Sequence, residues 1–141
     1  MYHHTQSGTA TRLAAVAGVA AVVYVIVRYH PQPILWLVLA VAVVGVFSLS
    51  SMTIEVDQER LTFWFGPGWI RRSFRLADIQ SWAAVTNPLW YGWGIHLTPH
   101  GWLYNVGGRE AVQLAFTDGR RLRVGTDEPE RLCEAIKAMR R

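Results

Sequence analysis

The sequence predicts a membrane-anchored α+β chain: a transmembrane helical hairpin, then an antiparallel β-barrel or sandwich of about seven strands, capped by a C-terminal amphipathic helix. Three observations predict it. Residues 34–52, ILWLVLAVAVVGVFSLSSM, carry no charge, and as a helix they would rise roughly 28 Å, close to the hydrocarbon thickness of a bilayer. From Thr53 the texture changes to short alternating runs separated by turn residues, the pattern of strands buried on one face. Residues 127–140 return to helical spacing with a single apolar stripe.

Composition narrows the function classes. Of 141 residues, 51% are hydrophobic and 17% charged, and the apolar excess is concentrated in residues 13–52, which is a membrane signature rather than a general one. All ten acidic residues and all Lys/Arg except Arg12 and Arg28 follow Thr53. The small positive excess left there is far below the basic footprint of a nucleic-acid-binding surface, so no nucleic-acid partner is expected. The one cysteine, Cys133, cannot form an internal disulfide.

Residues 1–12, MYHHTQSGTATR, are polar and unpatterned and read as a flexible arm; His3 and His4, without further ligands, read as solvated. Residues 13–28 form the first span, short for a bilayer but lengthened by the flanking Arg12 and Arg28, whose stems lie along the apolar zone. A cleaved signal peptide is the rival for this run, and no small-x-small site follows Val27. Pro31 and Pro33 break the helix, and residues 34–52 return as the second span. Ala14, Ala17, Gly18 and Ala21 recur at about one-turn spacing and permit close approach of the second helix. A hairpin leaves both termini on one side. Arg60, Arg71 and Arg72, soon after the second exit, place that side in the cytoplasm under the positive-inside rule, giving a multi-pass protein of the inner membrane.

In the domain 53–141, residues 52–57 alternate weakly and Asp57-Gln58-Glu59 turns the chain. Leu61, Phe63 and Phe65 line one face of the next strand. After Gly66-Pro67-Gly68, Ile70, Phe74 and Leu76 point one way and Trp69, Arg71, Ser73 and Arg75 the other. Residues 79–85 alternate again, and a long aromatic, glycine-rich connection runs from Asn87 to Gly94. Ile95 and Leu97 pair across Thr98-Pro99-His100-Gly101 with Trp102 and Tyr104. Gly107-Gly108 and Asp118-Gly119 each mark a tight hairpin, flanking Val112, Leu114 and Phe116 and then Leu122 and Val124. The terminal helix, 127–140, opens on a capping-box-like Asp127 and Glu130 with Pro129 in its first turn. Its stripe is Leu132, Ile136 and Met139, and Lys137, Arg140 and Arg141 suit its C-terminal end.

Two spans, about seven strands and a terminal amphipathic helix resemble the bacterial pleckstrin-homology-like membrane proteins. The stretches that carry the resemblance are GPGWIRRSFRLADI (66–79), NPLWYGWGIHLTPHGWLYNV (87–106) and DGRRLRVGTDEPERLCEAI (118–136). It implies a partly open β-barrel closed by the helix, on a membrane protein of undefined activity. The resemblance also implies that relatives often carry arginine at the position of His96. The pleckstrin-homology name also suggests phosphoinositide binding through a basic first hairpin. Here that turn is the acidic Asp57-Gln58-Glu59, so this ligand is not carried over.

Two surfaces stand out as sites. Arg71, Arg72 and Arg75, with Trp69 nearby, would meet anionic headgroups or stand as a solvated sheet face. Trp90, Tyr91 and Trp93 in their glycine-rich loop, with His96 just after it, would settle at a membrane interface or anchor a protein partner, or the two tryptophans would fold back over the mouth of the barrel. His96 and His100 flank a turn, and without a nearby acidic residue or cysteine they make a weak metal pair. No nucleophile, base and orienter occur at useful spacing, so neither enzyme activity nor a cofactor is expected. The expected partners are the lipid bilayer and a membrane or cytosolic protein that the module recruits or regulates. The alternative is a lipid-surface sensing role.

Overall fold

A computed structural model describes residues 1–29 and 32–140. The helix break expected at Pro31 and the terminal Arg141 lie outside the described residues. In chain order the elements are β1 (Tyr2–Ser7), α1 (Thr9–Tyr29), α2 (Pro33–Ser48), β2 (Ser51–Val56), β3 (Arg60–Phe65), β4 (Ile70–Arg75), β5 (Ile79–Thr86), β6 (Gly94–Thr98), β7 (Gly101–Asn105), β8 (Glu110–Phe116), β9 (Arg121–Gly125) and α3 (Pro129–Met139). The strands form two sheets, ordered β1-β2-β3-β4 and β5-β8-β9-β7-β6. They do not close into a barrel.

Alternation builds the core. Met52, Ile54 and Val56 of β2 and Leu61, Phe63 and Phe65 of β3 are at most 1% exposed. They face Val112, Leu114 and Phe116 of β8 and Val124 of β9. Aromatic rings bridge the sheets, with Phe63 centred 4.9 Å from Tyr104 and Phe74 5.0 Å from Phe116. Each such buried side chain contributes about 1.5–3 kcal/mol. Helix α3 lays the fully buried Leu132 and Ile136 on this core and packs against β2, β5 and β8.

Four sequence expectations change. First, the flexible arm is strand β1, paired antiparallel with β2 from Tyr2↔Val56 to Ser7↔Ser51. Its anchors are polar and distant in sequence: Gln6 Nε2 donates to the Gly125 carbonyl at 2.8 Å, and its Oε1 accepts from the Asp127 N–H at 2.9 Å. Second, Asp127 does not cap α3. Its carboxylate meets His4 Nε2 at 2.6 Å, while Glu128 takes the N-cap position without a side-chain cap bond. Third, Gly107-Gly108 does not join paired strands. β9 lies between β8 and β7, antiparallel to the first and parallel to the second, and as a central strand it is buried from Leu122 to Gly125.

Fourth, the second apolar run ends early. Helix α2 stops at Ser48, and Ser51 and Met52 belong to β2, where Met52 is fully buried in the β core. At 16 residues it rises roughly 24 Å. Only α1, with 21 residues and a mean hydropathy of 2.1 over its best window, is long and apolar enough to cross a membrane among the described residues. The two helices pack lightly. Ile26 is the one buried residue of α1 and Leu39 the one buried residue of α2. Ala14, Ala17, Gly18 and Ala21 are exposed, and a side chain on Gly18 would meet nothing within 4 Å. That small-residue face therefore looks away from α2, and the groove between the two helices is lined instead by Ala15, Val19, Val43 and Val46.

Candidate functional site

The helical hairpin and the sheets meet at a tight junction. Because β1 and β2 are neighbours, α1 and α2 form an insertion between two adjacent antiparallel strands. The Gly8 N–H donates to the Ser50 carbonyl at 2.9 Å, and Thr11 Oγ1 donates to the Val106 carbonyl at 2.7 Å. Only glycine fits at position 8, since a β-carbon there would overlap the Val106 carbonyl oxygen. Gly66, at φ +48°, brings the β3–β4 turn against Ser48 in the same way. Trp69 leaves that turn 71% exposed, so it stands beside the base of the helices.

The predicted arginine cluster divides. Cross-strand register sets Arg71 opposite Trp64 on the outer face of its sheet, where the guanidinium lies 4.7 Å from the Trp64 ring centre. Arg72 is opposite the buried Phe63, on the face turned toward the other sheet. Arg75 is at the far end of β4, opposite Arg60, and does not join them. Residues that the sequence pattern did not single out complete the group. Around a cavity of about 400 Å³, Arg71 and Arg72 meet Arg120 from the β8–β9 turn and Arg121 from the start of β9. Its apolar wall is Phe74, Trp102, Tyr104 and Phe116, and no carboxylate lines it. Arg120 is paired with Asp118 at 2.6 Å, and its hydrogen bonds hold the Asp118 carboxyl below the usual range. The guanidiniums of Arg72 and Arg121 have no hydrogen-bond or ion-pair partner among the described residues.

The aromatic loop crosses the outer face of the second sheet. Trp90 is 84% and Leu89 75% exposed, so neither folds back over the core. Tyr91 is turned inward, with its ring 6.0 Å from the Arg123 guanidinium. Arg123 is 7% exposed and bonded to Gln113 and Asn87, and burial pushes its guanidinium down from the ordinary arginine range. The Asn87 amide nitrogen is buried without a hydrogen-bond partner among the described residues. Trp93 lines a cavity of about 390 Å³ with Leu89 and Gly108, next to the turn that touches Gly8. Its carbonyl is bonded to the His96 ring.

The two predicted histidines do not form a site. His96 is tied to Trp93, and His100 lies near Tyr91. Among the described residues no group of three His, Cys, Asp or Glu side chains is placed to hold a metal. Burial, and then Glu130, push the Cys133 thiol up, which disfavours its thiolate. The acidic Asp57-Gln58-Glu59 turn is self-contained: the Asp57 carboxylate accepts from the N–H groups of Glu59 and Arg60, which holds it below the usual carboxylate range. No protein-family model matches the chain, and comparison with curated proteins finds no significant relative.

Proposed function

We propose that the chain is a non-enzymatic, membrane-anchored module, pleckstrin-homology-like in kind, that presents a protein-interaction surface at the inner face of the cytoplasmic membrane. The observation that carries this reading is the insertion of α1 and α2 between two hydrogen-bonded strands. Two chain connections, the Gly8–Ser50 bond and the Thr11–Val106 bond tie the β unit to the helices, which limits how it can turn relative to the membrane. Both helices expose apolar side chains along most of their length, Leu13, Val16, Leu37 and Val41 among them, an arrangement suited to lipid. A unit held in this way confines its search for a partner to two dimensions, so modest intrinsic affinity suffices. Trp90, exposed in a loop braced by Asn87, Tyr91 and Arg123, has the character of an aromatic anchor for that partner.

Contact with anionic headgroups is the second reading, favoured by Trp69 beside the base of the helices with Arg71 two residues on. Amphipathic aromatics settle at that depth, and each basic residue near the surface adds about 1 kcal/mol. A photo-cross-linking side chain placed at Trp90 in the full-length protein, in its native membrane, separates the two. A discrete protein adduct, absent when the probe is moved to Lys137 on α3, supports the partner reading. Adducts to lipid alone replace it with the second. Protease treatment of right-side-out vesicles tests the orientation: digestion of the β unit from outside overturns a cytoplasmic location.

A further inference from the structure

The edge of the first sheet carries a further site. β4 ends that sheet, and apart from its ladder with β3 it makes no backbone hydrogen bond to another element among the described residues. A strand left this way is a template for another strand. Its side chains decide which one. Arg71, Arg72 and Arg75 occupy half of the six positions of β4, so pairing with a second copy of β4 would crowd two sets of arginines along one seam.

Inward- and outward-pointing charges of this kind keep an edge from pairing with itself, and that explains the arginines of β4 alone. It leaves Arg121, which the other sheet brings to the same cavity, without an explanation. Unpartnered guanidiniums from two sheets, set beside aromatic rings and with no carboxylate in the lining, have the chemistry to take carboxylates from outside. The same charges that exclude a basic strand select an acidic one.

We propose that β4 accepts an extended acidic segment of the protein partner as a fifth strand of its sheet. Carboxylates of the segment meet Arg71 and Arg75 on the outer face and Arg72 with Arg121 at the cavity. An apolar side chain enters between Phe74 and Trp102, the latter half exposed. The backbone ladder supplies affinity, and the alternate side chains supply selectivity. This site rests on the partner reading but not on the aromatic loop, which lies on the outer face of the other sheet.

The test uses the full-length protein in nanodiscs of zwitterionic lipid and a blocked, fluorescent hexapeptide of glutamates with phenylalanine at its fourth position, which as a strand presents carboxylates on both faces and one aromatic side chain on the cavity face. Its lysine counterpart and a version N-methylated at alternate residues serve as comparisons. Expected are binding of the glutamate peptide alone, weakening with added salt, and a loss of about tenfold or more on Arg72→Gln combined with Arg121→Gln. Lys137→Gln on α3 should bind as wild type does. Equal binding of the lysine peptide, or of the N-methylated one, overturns strand addition, and so does unchanged binding by the double variant. Displacement of the peptide on changing the disc lipid to phosphatidylglycerol makes a headgroup the occupant and overturns the proposal as well. If the peptide fails to bind while Trp90 still cross-links to a protein, the inference falls and the partner reading stands.

Discussion

The helical pair and the two-sheet unit are built on opposite terms. Each helix buries a single residue against the rest of the protein, Ile26 in one and Leu39 in the other, whereas β2 and β3 alone bury six large side chains to 1% or less. Removal of apolar surface from water stabilises the sheets within the chain itself. The helices leave that surface uncovered and take their stability from what surrounds them. The difference teaches that apolar content does not identify a core. Residues 34–48 are more hydrophobic than any strand, yet the strands are where the chain packs.

The largest effect that sharpens this contrast is expected at Phe63. It is fully buried, with Phe74 and Tyr104 within 6.2 and 4.9 Å between ring centres. Phe63→Ala should destabilise the β unit by about 3–5 kcal/mol, read by denaturant unfolding in lipid discs, while Val44→Ala on the exposed face of α2 should change it by less than about 0.5 kcal/mol. Comparable losses at the two sites would erase the distinction.

Next come the residues that join the regions. Gln6→Leu leaves the Gly125 carbonyl and the Asp127 N–H unbonded, at a cost of about 1–3 kcal/mol. The fingerprint of the loss is faster hydrogen exchange in β1; protection there equal to wild type would mean that Gln6 does not hold the strand. Gly8→Val drives a side chain into the Val106 carbonyl, with a similar penalty of about 1–3 kcal/mol, and should loosen the base of the helices without disturbing the β4 edge.

A smaller effect depends on pH. Burial, and then Glu128, push the Tyr2 hydroxyl up to about 12 from 10.0. The folded state therefore favours the protonated form. This contribution is fully present below pH 10 and is lost as pH rises from 10 through 12. Tyr2→Phe should flatten the alkaline decline of stability in that window; curves that stay parallel to wild type would rule Tyr2 out as its source. The smallest effect is expected at Gly18, where Leu should alter neither insertion nor β-unit stability because no neighbour lies within reach. A shift in either would show that α1 packs more closely there than the structure has it.

Much of the fold was legible in the residues. Period-two alternation marked Leu61, Phe63, Phe65, Val112, Leu114, Phe116, Leu122 and Val124, and helical spacing marked Leu132 and Ile136, because burial on one face writes its period into the sequence. Strand β1 was not legible. Its residues are polar, and its partners, Gly125 and Asp127, lie more than a hundred positions away. The candidate site was half legible: Arg71 and Arg72 stand out as a pair, and Trp90 as an exposed aromatic in a glycine-rich loop. Arg120, Arg121 and Trp102 gave no signal of belonging with them.

The sequence by itself determined what is local: which stretches are apolar throughout, which alternate, and where Asp57, Gly66, Asp118 and Pro129 turn the chain or start a helix. Those features follow from the preferences of neighbouring residues along the backbone. Only the tertiary structure decided that β1 returns across two helices to pair with β2, that β9 enters between β8 and β7, and that arginines from two sheets share one cavity. Each of these is a contact between segments far apart in the chain, chosen because their buried faces and polar groups are satisfied together, and no local pattern encodes that choice.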